Sequence, residues 1–260
     1  MSERTLLKQV AIISGGLGDI GRAIALELAR RGADIAVGDV RSDDDAAATL
    51  RLLRELGVRA RYDRVDVSDA AAVAQWIANV ETELGPPTLI IPNAARVTIA
   101  GSQAITPEEW SKELRINLDG AFHLAQAATK RLVELNRPGR VVFVGSWAAH
   151  APHPNIVAYC AAKAGLRMLC KCMALELAKH QILVNEVAPG YVDAGLSAQL
   201  WARKPGSREK AAERVPTGNL IDAAEVARQV AHLCEPDNRH MTGSVLLMDG
   251  GLSLVTPANR

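Results

Sequence analysis

The sequence predicts an α/β fold: one doubly wound parallel sheet with helices on both faces. Three features carry this. Short runs of β-branched and aliphatic residues recur along the whole chain, helical patterns separate them, and no Pro/Gly/Ser-rich linker or low-complexity break divides the series. Most of the runs are continuously apolar, which suits strands buried on both faces. A single domain over residues 1–260 is expected.

The first run, VAIIS at 10–14, leads into a glycine-rich turn, SGGLGDIG at 14–21. Ile20, Ile24 and Leu28 then recur every four residues on one helical face, and the helix ends at Gly32. The second run, DIAVGD at 34–39, completes a β-α-β unit with a right-handed crossover. Five more follow: ARYDRVDV at 60–67, TLIIPNA at 88–94, RVVFVGS at 140–146, ILVNEVAP at 182–189 and SVLLMDG at 244–250. The stretch 195–218 lacks a strand, is charged, and is bounded by Gly195 and the Pro-Thr-Gly at 216–218. In an α/β enzyme it reads as a mobile substrate lid.

Composition narrows the function classes. Apolar residues make up 48% of the chain, charged residues 23%, and the net charge is +1, so nothing electrostatic points to nucleic acid or an anionic membrane. A small-molecule substrate is the expected partner. The start, MSERTLLKQV, has no apolar signal core, and no run of about 18 apolar residues could span a bilayer, so a cytoplasmic location is expected. Cys160, Cys170, Cys172 and Cys234 form no C-x-x-C pair and have no histidine at ligand spacing, which predicts free thiols and no metal site.

The glycine turn can be read in two registers. Gly16, Gly18 and Gly21 fit G-x-G-x-x-G; a register starting at Gly15 places Asp19 where a glycine should stand. Either lets the backbone approach a pyrophosphate and aims helix N–H groups at it. Asp39 ends the second run, 18 positions beyond Gly21. A carboxylate there accepts both ribose hydroxyls and repels a 2'-phosphate, which selects NAD over NADP; Val40 after it is neutral, and Arg41 lies nearby.

In YCAAK, Tyr159 and Lys163 stand four apart, on one helical face and about 6 Å from each other along the axis. A phenol titrates near 10, so service as a base near neutrality needs roughly 3 units of depression, about 4 kcal/mol. Lys163 and an oxidised nicotinamide are the candidate sources. Ser146, 13 residues upstream of Tyr159, ends a predicted strand, where ligand sites of open α/β sheets lie. Singly, these patterns also occur as a tight turn, a solvated strand-end acid, or helix packing beside a surface lysine.

Taken together they resemble a family. SGGLGDIG at 14–21, DVSD at 66–69, PNAA at 92–95, INLDG at 116–120, VFVGS ending in Ser146, YCAAK at 159–163, VNEVAPGYV at 184–192 and MTGSVLLMDGG at 241–251 are similar, in order, to the motifs of the classical short-chain dehydrogenase/reductases. The resemblance implies a Rossmann-type fold and the register that starts at Gly15. It implies that Tyr159 exchanges the hydroxyl proton and that Ser146 hydrogen-bonds the reacting oxygen. Lys163 would bind the nicotinamide ribose and lower the tyrosine's pKa, and Asn117 would complete the tetrad through a water chain. Ser14, Gly15, Leu17, Asp19, Ile20 and Gly21 would hold the pyrophosphate side of the cofactor, Asp39 and Asn93 with Ala94 its adenosine ribose, Asp66 and Val67 its adenine, and Pro189, Gly190 and Val192 its nicotinamide.

The chain departs from the family pattern at Ser14 for threonine, at Pro92 and Ala95 within N-N-A-G, at Ala194 for threonine, and at Asp19. Asp19 would either cap the following helix, turned toward Arg22, or face the pyrophosphate. By the same resemblance Arg96, Ser146, Trp147, His150, His153 and Trp201 would face substrate, with Arg203 and Lys204 on the lid. Such basic groups suit a polar secondary alcohol or sugar-like hemiacetal, including an anionic one. Two alternatives share the framework: a 3-oxoacyl-thioester reductase, which usually prefers NADP, and a non-catalytic dinucleotide-binding regulatory protein, which would be expected to have lost a tetrad member. The resemblance also implies a homotetramer, assembled through the long helices after Asn117 and around Tyr159.

Overall fold

The computed structural model describes residues 4–202 and 205–255. Seven strands occupy the seven predicted runs: β1 Val10–Ser14, β2 Asp34–Asp39, β3 Ala60–Arg64, β4 Leu89–Ile91, β5 Gly139–Val144, β6 Ile182–Pro189 and β7 Val245–Met248. They form one sheet in the order β3-β2-β1-β4-β5-β6-β7, with every pairing parallel. Side chains alternate across it. Ala11 and Ile13 of β1 join one buried cluster, Val10 and Ile12 the other.

Helices α1 Asp19–Arg30, α2 Asp43–Glu55 and α9 Ala223–Cys234 cover the first cluster; α3 Ala70–Glu83, α5 Gly120–Glu134 and α6 Val157–Leu177 cover the second. Fully buried anchors such as Ile24, Leu28, Trp76 and Phe143 each contribute roughly 1.5–3 kcal/mol. Three of these six helices start on a side-chain cap: Ser42 with Asp45 for α2, Asp69 for α3, Asp222 with Glu225 for α9. Helix α1 starts on Gly18, and no side chain caps it.

The chain reverses its direction of travel through the sheet between β1 and β4, so their C-terminal ends open on the crevice where such sheets bind ligands. Helix α4, Pro107–Leu114, runs into α5 through a π-helical turn, Arg115–Asp119, that holds Asn117. Local π geometry of this kind is frequent at functional sites. The strandless segment 195–218 contains two short helices, α7 Gly195–Trp201 and α8 Ser207–Arg214. All four cysteines are free thiols. Among the described residues no helix is long and apolar enough to cross a membrane, and no cluster of potential metal ligands occurs.

Candidate active site

Ser146 follows β5 and is 7% exposed; its Oγ accepts the N–H of Ala148 at 3.1 Å and so starts the 3-10 turn Trp147–Ala149. Tyr159 and Lys163 lie one turn apart on α6. Lys163 Nζ donates to Val144 O at 2.8 Å and sits 5.5 Å from the centre of the Tyr159 ring. These three side chains line one cavity of about 220 Å³ together with Pro189, Gly190 and Val192. Burial pushes the Tyr159 phenol up to about 12, against a hydrogen bond with Ser146 that pulls it back. Burial holds the Lys163 ammonium down to about 8, with Glu186 opposing. The protein alone therefore keeps Tyr159 protonated at neutrality.

Asn117 does not line this cavity. Its Oδ1 accepts from Arg96 N and its Nδ2 donates to Arg96 O, both at 2.8 Å, so the amide is spent on the segment after β4. Glu113, one turn earlier and fully buried, accepts the N–H of Thr98 at 2.6 Å. The two side chains clamp residues 96–98, whose Val97 faces the cavity as Ala95 does. Desolvation raises the Glu113 carboxyl above its ordinary value. Behind Ser146, Arg167 on α6 donates Nε and Nη2 to the fully buried Glu186 at 3.0 Å each, and Nη2 to Ser146 O at 3.2 Å. Neither Glu113 nor Arg167 belongs to the motifs from which the site was predicted, and Glu186, within VNEVAPGYV, was given no role there.

A second cavity, of about 550 Å³, runs along the C-terminal ends of β1 and β2. Gly15, Asp19, Ile20, Gly21, Asp39, Asp66, Val67, Asn93 and Ala94 line it. Gly15 has φ +63, and a Cβ there would come within 2.8 Å of Ala94 Cα, so only glycine fits the turn. Ser14 and Leu17 act from behind. Ser14 Oγ accepts from the backbone N of Asn93 and Ala94 at 3.0 and 3.1 Å, while Leu17 N donates to Asp39 Oδ2 at 3.2 Å. Asn93 Nδ2 donates to Ser14 O and Gly15 O, tying the glycine turn to β4. A dinucleotide fits this donor set: the first N–H groups of α1 have no capping side chain, and Asp39 sits at the ribose end.

Asp19 follows neither sequence expectation in full. The N-cap of α1 is Gly18, and Asp19 is not paired with Arg22 in the described structure; its Oδ2 accepts the N–H of Gly195 at 2.8 Å, at the base of α7. Its carboxylate therefore bridges the two walls of the groove, a contact across 176 residues that no local rule reveals. Asp19→Gly should tighten NADH binding several-fold by removing a negative charge beside the pyrophosphate position. It should also cost about 1 kcal/mol of stability through the lost helix-end charge and hydrogen bond. Fluorescence titration and thermal melts measure the two effects, and unchanged affinity would mean that the carboxylate does not oppose the dinucleotide.

Beyond Ser146 the smaller cavity is aromatic. The Trp147 ring stands edge-on to His153 (4.2 Å, 85°) and to Tyr191 (5.3 Å, 88°), and Tyr191 edge-on to Trp201 (6.2 Å, 90°). His153 Nδ1 donates to Ala151 O at 2.7 Å. Val97, Ile156, Leu196 and Ser197 complete the walls. Of the predicted substrate residues, Ser146, Trp147, His153 and Trp201 are here; Arg96 and His150 are not. Arg96 lines the cofactor groove, because its backbone is clamped by Asn117 and its neighbours Ala95 and Val97 take the cavity side. His150 ends the 3-10 turn and is exposed. Arg203 and Lys204 lie outside the described residues. Of the described basic groups expected to receive an anion, His153 lines the cavity with Tyr159, whereas Arg96 and His150 do not. Tyr191 was missed, although its place between Gly190 and Val192 was the available signal.

Comparison with known proteins adds the following. A family model described as enoyl-(acyl carrier protein) reductase matches residues 16–253. The chain is 31% identical over 262 residues to the 2,3-dihydro-2,3-dihydroxybenzoate dehydrogenase of Bacillus subtilis (strain 168), covering 98% of this chain and 99% of that protein. Among solved structures it resembles a short-chain type dehydrogenase/reductase from Mycobacterium marinum, with TM-score 0.89 and 30% identity over 96% of this chain and 97% of the other. An actinorhodin polyketide ketoreductase solved with NADPH gives TM-score 0.90 at 28% identity, over 98% of this chain and 100% of the other.

Proposed function

The chain belongs to the short-chain dehydrogenase/reductase family, and on that premise we propose that it is an NAD(H)-dependent oxidoreductase interconverting a secondary alcohol and its carbonyl compound. The observation that carries this is the shared cavity of Ser146, Tyr159 and Lys163 against the 189–192 turn. Nicotinamide bound at that turn supplies the hydride acceptor or donor. Ser146 holds the substrate oxygen, and Tyr159 Oη takes the hydroxyl proton in oxidation or returns it in reduction. Lys163, charged below about 8, stabilises the phenolate. Asn117 keeps the 96–98 wall in place.

The NAD assignment is supported by Asp39. Its Oδ1 accepts from Arg41 N at 3.3 Å and its Oδ2 from Leu17 N, which fixes the carboxylate at the end of β2, while Val40 beside it is exposed and uncharged. Arg41 Nε lies 3.8 Å from Asp39 Oδ1, so this neighbouring cation faces the carboxylate. Asp39→Ala with Val40→Arg should reverse the preference, moving the NADP/NAD ratio of kcat/KM by roughly 10²-fold or more, on the scale of a charge repulsion exchanged for an ion pair. Unchanged NAD preference in that double variant would remove the argument. The same carboxylate disfavours the thioester-reductase alternative with its usual NADP preference, and the retained tetrad residues disfavour a non-catalytic protein.

Self-association as a homotetramer completes the proposal. Met168 and Leu175 on α6 are 58% and 83% exposed, seven residues apart on one helical face, an apolar stripe that a second chain would cover. Light scattering should give the mass of four chains, and a monomer would overturn this part.

A further inference from the structure

The cavity around Tyr159 has a definite size, charge and shape, and these select among alcohols. Resting on the oxidoreductase reading above, we propose that the substrate is a compact, uncharged cyclic secondary alcohol or ketone of about one six-membered ring, seated against Trp147, Tyr191 and Trp201.

Size comes first. The cavity measures about 220 Å³, below the roughly 300–1,000 Å³ of ordinary ligand pockets. A closed apolar cavity of about 150 Å³ holds a single benzene. The nicotinamide face at 189–192 shares this space and the cavity opens to solvent on one side, so the enclosed part of the substrate is no larger than one ring. A long acyl chain would have to leave through the open side, without enclosure by these walls.

Charge and polarity narrow it further. Among the described lining residues the cationic candidates are Lys163, engaged with Val144 O, and His153, whose Nδ1 is engaged with Ala151 O; no carboxylate lines the cavity. A substrate carboxylate would lose water without a bidentate partner. Beyond Ser146 and Tyr159 the polar side chains at the walls include His153, Tyr191 and Ser197, fewer than the several hydroxyls of a sugar need, and Val97, Ile156 and Leu196 are apolar. Ser146 and Tyr159 serve the reacting oxygen. The successive perpendicular rings of Trp147, Tyr191 and Trp201 make a flat-walled corner, which suits a compact ring better than an extended chain.

The reaction balances with NAD⁺ as oxidant. The carbinol C–H bond breaks and its electron pair leaves with the hydrogen to NAD⁺, the O–H proton passes to Tyr159 and on to solvent, and the C–O bond becomes a carbonyl. The test is a comparison of kcat/KM for the full chain with saturating NAD⁺ on cyclohexanol, cyclohexane-1,2-diol, lactate, glucose and decan-2-ol. Cyclohexanol and cyclohexane-1,2-diol should exceed the other three by about 100-fold. NAD-linked turnover fastest on the anion, the sugar or the long chain overturns the ring assignment and leaves the oxidoreductase reading standing. No NAD-linked turnover on any of them overturns both. Trp147→Ala should raise KM for the rings and gain turnover of decan-2-ol, with NADH binding reporting an intact fold. Where that variant loses NADH binding, Trp201→Leu on the cavity rim takes its place. An unchanged ring preference in a variant that still binds NADH overturns the proposal.

Discussion

Tyr159→Phe should lower kcat for alcohol oxidation by roughly 10²- to 10⁴-fold, the usual contribution of a positioned acid–base group, while NADH affinity stays within a factor of about three. The side chain keeps its shape and loses only the proton-exchanging oxygen. The pH dependence follows from the same group. Oxidation needs the phenolate, so kcat/KM for oxidation should rise with pH, and reduction, which needs the phenol, should fall. In the protein alone burial holds the phenol at about 12, and the Lys163 cation must bring it down. Lys163 itself is held at about 8, so above that pH its ammonium is progressively lost and with it the pull on Tyr159. The rising limb should therefore flatten above about pH 8. Stopped-flow rates across pH 6 to 10 and an equilibrium titration with NADH separate the two parameters. A phenylalanine variant that turns over at the wild-type rate would remove Tyr159 from the chemistry.

The second large effect is on stability. Glu186→Leu should lower the free energy of unfolding by about 3–5 kcal/mol, because it leaves the largely buried Arg167 guanidinium without its carboxylate. Glu186 has no solvent exposure, and its Oε1 lies where a Cβ on Gly145 would come within 2.0 Å, so residue 145 has to be glycine for the acid to fit. Leucine at both 186 and 167 should recover much of the loss, since it removes both charges. Activity should not recover in step. Arg167 also donates to Ser146 O, and Glu186 is the charge that opposes the lowering of the Lys163 pKa. Urea unfolding and turnover measured on the two variants and the wild type test this, and equal stability of Glu186→Leu and wild type would show the pair to be dispensable.

The fold was legible because its signals are local. The seven runs became the seven strands, the polar and partly buried β3 at the sheet edge among them, and Gly15 is required by a positive φ and the proximity of Ala94. The grouping of Ser146, Tyr159 and Lys163 was legible from a strand end and a helical spacing of four. The substrate end was not. Whether Arg96 or Val97 faces the cavity depends on how Asn117 and Glu113 grip the segment after β4, which spacing does not reveal. His150 and His153 stand three apart on the same loop, yet one is exposed and the other packs on Trp147. Asp19 was anomalous in the sequence, but its partner Gly195 lies at the other end of the chain. Buried Glu186 was hidden in an apolar run that read as an ordinary strand.

The central claim is that this cavity moves a hydride from a carbinol carbon to NAD⁺ while Tyr159 takes the proton. Its most direct test is isotope transfer. Cyclohexanol carrying deuterium at the carbinol carbon, incubated with the wild-type protein and NAD⁺, should yield NADH deuterated at C4 of the nicotinamide and cyclohexanone in equal amount, and the Tyr159→Phe variant should yield neither above background. Cyclohexanone formed without deuterium in the NADH, or transfer undiminished in the phenylalanine variant, would contradict the account.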